Sequence, residues 1–204
     1  GLTLPVGETV GSFFRHALEF AEGVLCVVDS NAAFVSRAWP IFEVSAALSC
    51  DSAEPGRMRK YFDIYTALGH EGCQPAAVGI TDGVADVDTF SELNKMRREL
   101  QFPRALLWAL VGLTIETGSA STEDDRRFIL NTIAGRSNVA LLPFTKHASY
   151  AAFNADMRGF FASYALRGAV EAGGHVLAAC LSALQQTRTL RELSVCFAEC
   201  DTTT

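Results

Sequence analysis

The residues of this chain best placed for chemistry are an indole and a carboxylate, Trp39 and Glu43. They follow the apolar run Val24-Leu25-Cys26-Val27-Val28-Asp29-Ser30. Four residues apart on a helix, they share one face about one turn apart. The run before them is short and β-branched, the pattern of a strand buried on both faces of a parallel sheet. Ring and acid are thus expected just past the C-terminal end of a central strand, where open α/β sheets bind ligands.

The other candidate groups are sparser. Asp86 and Asp88 have the Asp-x-Asp spacing that holds divalent cations in some folds, but no third ligand stands near them in the sequence. His147 and His175 are isolated, with no second nitrogen or thiolate at ligand spacing, so they read as packed or surface histidines. Six cysteines are dispersed; Cys196 and Cys200 are the one close pair and lack a matching His or Cys pair for zinc. Core-like thiols without Cys-x-x-Cys pairs point to a reduced, cytoplasmic setting.

The elements that must position Trp39 and Glu43 follow from patterning. Residues 9–22 predict a helix with Phe13, Ala17, Phe20 and Ala21 on one stripe and Gly23 as its stop. A strand at 24–28 and a helix at about 38–50 follow, with Pro40 in the first turn, where a missing N–H is harmless. Further strands are predicted at 61–67 and 76–80, and a charged helix at 90–101 broken by Pro103. Beyond it come a buried segment Leu106–Val111 ending at Gly112, a short strand at 113–115, and a helix at 122–134. That last helix has a capping box from Ser121 to Asp124 and stops at Gly135. Alternating strands and helices through residue 135 imply an α/β fold, a parallel sheet with helices on both faces. From 136 the chain turns Ala- and Phe-rich, predicting helices at 148–167 and 170–186 separated by Gly168. Leu190-Arg191-Glu192-Leu193-Ser194-Val195 has the form of a leucine-rich repeat start, by design or by accident. Two units are therefore expected, 1–135 and 136–204.

The stretch from Val27 to Glu43, with Ser36-Arg37-Ala38-Trp39-Pro40-Ile41-Phe42-Glu43 opening a helix after a buried strand, resembles the middle of a TIR (Toll/interleukin-1 receptor) domain. It is most similar to divergent TIR-like sequences of algae and other protists. Tyr61–Leu68, Val78–Gly83 and Ser121–Arg127 look like later landmarks of the same group, in order. The resemblance implies a flavodoxin-like parallel sheet. It also implies that Glu43 matches the catalytic acid of TIR domains that cleave NAD. There the carboxylate stabilises an oxocarbenium-like ribose or orients the attacking water as nicotinamide leaves. Trp39 then walls the pocket, and Ser36 donates to a phosphate at the helix N-terminus. NAD enters only as substrate; no cofactor is implied.

Two departures stand against activity. The strand, helix and second strand that open such a domain do not precede Gly1, so the TIR-like unit is expected to be N-terminally incomplete; Pro40 also replaces the residue, often Cys, that follows the Trp. The same residues have a plainer reading. Glu43 suits the positive end of a helix dipole, Trp39 a core anchor and Ser36 a helix cap.

Composition narrows the partners. The 204-residue chain is 49% apolar and carries a net charge of −6; its mean hydropathy is +0.18. It has no long basic run, only Arg57–Lys60 and Lys95–Arg98, which excludes nucleic acid as the main partner. Gly159–Leu184 is the most membrane-like stretch, yet charged residues interrupt it below the roughly 20 apolar residues a bilayer needs. The high hydropathy favours protein partners or self-association. Three functions are expected: an interaction or scaffold module, an NAD glycohydrolase, or a structural subunit of a large complex.

Overall fold

The computed structural model describes residues 16–18, 20–29, 32–50, 61–68, 76–81, 100 and 103–187, with only the backbone at 49–50, 61, 68 and 76–81. Asp86 and Asp88, both basic patches, the repeat-like 190–195 and nearly all of the predicted 90–101 helix lie outside these residues. So do Cys73, Cys196 and Cys200. Of the predicted first helix, 16–18 and 20 are helical. Leu18 faces inward there, while Phe20 is exposed against His16.

The fold is mixed α/β. Strand β1 (Gly23–Val27) pairs in parallel with β2 (Tyr61–Leu68), Gly23 opposite Tyr61 and Val27 opposite Tyr65. Helix α1 (Ala38–Cys50) lies between them in the chain, so β1-α1-β2 is a βαβ crossover. Strand β3 (Ala76–Thr81) departs from the expected all-parallel sheet by running antiparallel to β2, from Asp63 opposite Thr81 to Leu68 opposite Ala76. The reason is chain length. Only residues 69–75 separate β2 from β3, and a parallel return needs a crossover of about a dozen or more.

Among the described residues the sheet order is β1-β2-β3, which puts β1 at a margin and β2 in the centre. Nor is β1 buried on both faces. Cys26 is buried, as is Val28 just past the strand, while Leu25 is 61% and Val27 70% exposed. Among the described residues the helices cover one face of the sheet, not both. Phe62 of β2 meets Phe160 and Tyr164 from a long helix, α4 (Ala148–Ala172), at 5.0 and 6.2 Å between ring centres.

Helix α1 has the predicted span. Ala38, Ile41, Val44 and Ala47 are buried at a three-residue spacing that keeps one side inward. Its entry is braced. The Asp29 carboxylate accepts from the Ala33 amide at 3.1 Å, starting a 3-10 turn over Ala33–Ser36. The Ala38 amide donates to the Ser119 carbonyl, and the Ser119 amide to the Ser36 carbonyl, both at 2.8 Å.

After Pro103, helix α2 (Arg104–Val111) buries Leu106, Leu107, Leu110 and Val111 but leaves Trp108 on the outer arc, half exposed. The strand expected at 113–115 does not form. Thr114 is extended, and Ile115–Thr117 closes a 3-10 turn. Their polar groups are satisfied by α4 instead of a neighbouring strand. Asn154 Oδ1 accepts from the Ile115 amide at 2.9 Å, and Arg158 Nε donates to the Leu113 carbonyl at 2.6 Å.

Helix α3 (Glu123–Ile133) begins one residue later than the predicted box. Thr122, not Ser121, accepts from the Asp125 amide at 3.1 Å, and its hydroxyl donates to the Asp125 carboxylate at 2.8 Å. Gly135, at φ +71, stops the chain from continuing as helix. The expected break at Gly168 is absent: α4 runs unbroken for 25 residues, since Leu166 and Ala169 on either side belong to the core. The turn comes at Gly173 and Gly174, both at positive φ, and leads into α5 (Gly174–Gln186). Helix α4 packs against α2, α3, α5 and β3, so its apolar composition is consumed inside the chain. No helix among the described residues is long and apolar enough to cross a membrane.

Candidate functional site

Helix α1 starts beyond the C-terminal end of β1 and runs back alongside it. Trp39 is its second residue, so the indole reaches sideways towards α3. It stacks on Phe128 with centroids 5.8 Å apart and planes 25° off parallel, and meets Phe42 edge-on at 6.0 Å. Phe42 and Phe128 close the triangle at 6.4 Å. Three rings in mutual offset and edge contact each gain about 0.5–1.5 kcal/mol beyond their buried area. The indole is thereby an anchor of α1 on α3.

Glu43, one turn further, has a different neighbour. Its charge bears on the Cys26 thiol, one residue before the end of β1. It is half-buried, and no described residue donates a hydrogen bond or ion pair to it. Burial alone pushes its carboxyl above the usual carboxylate range. The helix dipole gives little counterweight, because the first turn of α1 holds no acid and Glu43 lies in the second. Cys26 is pushed up to about 12, first by burial and then by the Glu43 charge. At neutral pH that sulfur is a thiol and a poor nucleophile.

Ser36 ends the 3-10 turn before α1. Its hydroxyl donates to the Ala33 carbonyl at 2.8 Å and so closes the turn. The three residues singled out in the sequence therefore have three sets of neighbours. Trp39 is held by α3, Glu43 lies against β1, and Ser36 is tied to its own loop.

The most heavily built polar features were not singled out in the sequence. Asn131, fully buried in α3, donates from Nδ2 to the Val139 and Leu141 carbonyls at 3.0 and 2.6 Å. Its Oδ1 accepts from Arg136 at 3.1 Å, and the same Arg136 nitrogen donates to the Leu142 carbonyl at 2.8 Å. The Arg136 guanidinium also lies 3.8 Å over the Phe144 ring, and His147 stacks near Phe144 at 5.0 Å. His147 Nδ1 accepts from the Ser149 amide at 3.2 Å and caps α4. The available signal was an Asn directly after the apolar run Phe128-Ile129-Leu130. A buried amide needs partners, and nearby backbone is the commonest source.

No family model, curated protein or solved structure matches the chain.

Proposed function

We propose that this chain is a TIR-like protein-interaction module that assembles with copies of itself or with other chains. One observation carries the reading. Large apolar side chains stand exposed in runs instead of singly, at Leu25 and Val27 on the open sheet face and at Leu141, Leu142 and Phe144 on a clamped loop. Isolated exposed apolar residues are ordinary, but contiguous ones on an ordered backbone mark contact surfaces. The TIR-like element of the reading draws support from the β1-α1-β2 crossover, which carries the Trp-x-x-x-Glu spacing on the helix after the strand. Light scattering on a size-exclusion column tests it. A mass that rises with loading supports the module; a monomer at every concentration that also binds no purified TIR domain counts decisively against it.

A second reading, NAD glycohydrolysis, is favoured by a specific feature: Glu43 is a half-buried, uncompensated carboxylate with a raised pKa. Such groups cluster at catalytic sites. Its test is nicotinamide release from NAD, compared between the parent chain and Glu43→Ala. Release that persists in the variant removes Glu43 from the mechanism.

A further inference from the structure

Helix α4 begins at a histidine that joins three parts of the fold. His147 is its N-cap residue, and the His147 Nδ1 accepts from the Ser149 amide at 3.2 Å. Its ring stacks near Phe144, 13° off parallel with centroids 5.0 Å apart. It also meets the buried Tyr150 ring at 5.7 Å. Helix start, loop and core thus share one half-buried imidazole.

The cap bond fixes the state of that ring. An Nδ1 that accepts carries no proton, so the imidazole is neutral with its hydrogen on Nε2. A doubly protonated ring donates from both nitrogens and accepts nothing. The usual cap residues, Ser, Thr, Asn and Asp, keep an acceptor oxygen at any ordinary pH. Histidine is the side chain that ordinarily changes charge between pH 5 and 8.

The surroundings work against an added proton. The Arg136 guanidinium lies 3.8 Å from the centre of the same Phe144 ring, and Lys146 precedes His147 in the chain. No acid occurs between 136 and 147. The start of α4 is the positive end of a helix dipole, which disfavours a cation. On the Tyr150 side, the charges of Arg136, Glu116 and Arg126 bear on the phenol. Of these, the Glu116 carboxylate already accepts from Asn154 Nδ2 at 2.7 Å, and Arg126 donates to the Glu116 carbonyl at 2.7 Å. A cationic imidazole would gain some attraction from the Phe144 face, but Arg136 already draws on that ring.

We propose that His147 is a pH-operated latch on the start of α4. Neutral, it caps the helix and holds Phe144; protonated, it frees the Ser149 amide and slackens the joint between α4 and the loop before it. Asn131 keeps hold of the Val139 and Leu141 carbonyls in both states, so the change is confined to residues 144–151. The latch goes beyond the interaction-module reading and does not depend on it.

Amide exchange followed by NMR from pH about 8 to about 5 tests it, each rate divided by the intrinsic rate at that pH. In the parent, protection of the Ser149 amide falls about fivefold, the effect of losing an N-cap. The midpoint of that fall matches the midpoint of the His147 ring-proton shift, and amides of α5 keep their protection. His147→Asn retains an acceptor that does not titrate, so its Ser149 protection is level across the range. His147→Ala has no cap and is low at every pH. Circular dichroism establishes that the variants are folded; where His147→Ala loses helix, the parent against His147→Asn decides alone. Ser149 protection that stays level with pH in the parent overturns the latch. So does a fall of equal size in His147→Asn, because another group would then be its source.

Discussion

The Asn131 amide lies 2.6 Å from the Leu141 carbonyl, ten residues along the chain, and fixes a loop on which Leu141, Leu142 and Phe144 are exposed. A fully buried amide at the end of an apolar helix face is expensive unless it is bonded. Here its bonds shape a surface. The core of α3 and the display of Leu142 are two ends of one hydrogen-bonded unit.

Asn131→Ala removes that unit's donor and strands two carbonyls. An unmet buried partner costs about 1–3 kcal/mol, so urea unfolding should show a loss in that range. Amide exchange should quicken at 139–142 more than in α4. Asn131→Asp should be no better, because a carboxylate accepts and cannot donate to carbonyls. A loop that exchanges as slowly in either variant as in the parent contradicts the clamp.

Trp39→Ala should destabilise the chain by about 2–4 kcal/mol, below the upper range for large aromatic truncation because the indole is only half-buried. Trp39→Phe should recover most of it by keeping a ring against Phe128. Denaturant midpoints decide. An unchanged midpoint in the alanine variant means the indole does not anchor α1.

Glu43 sets a pH dependence with a definite sign. Its carboxyl is raised in the folded chain by burial. Its contribution is therefore fully present below the unfolded value, near the ordinary glutamate range of about 4.3, and is lost as pH rises through the folded value. Glu43→Gln, which removes the charge, should gain on the parent as pH rises from about 4 to about 7. A gap between the two that stays flat or narrows over that window refutes the desolvation account.

Gly173 turns α4 into α5 at φ +63 and ψ −167, a region nearly closed to side chains. Gly173→Ala should cost about 1–3 kcal/mol in thermal or denaturant unfolding. The added methyl meets no atom within 4 Å, so any cost is backbone strain alone. A neutral substitution would mean that the turn relaxes.

Much of this was legible in advance. The start of α1 was marked by Pro40 in its first turn, and β2 and β3 stood out as runs with β-branched or aromatic residues. The direction of β3 was also legible, because residues 69–75 are too few for a crossover. Other misreadings had less accessible causes. The 113–115 segment looks like a strand by composition, but Asn154 and Arg158, about forty residues away, take up its backbone groups. Gly168 looks like a break, yet core neighbours carry the helix through it. Trp39 and Glu43 were rightly placed on one helix. Spacing alone cannot reveal that Phe128 and Cys26, from separate elements, would claim them.

The most direct measurement is light scattering on the chain over a concentration series. The interaction-module reading predicts a mass that rises with concentration. A monomer at every concentration that also binds no purified TIR domain contradicts it.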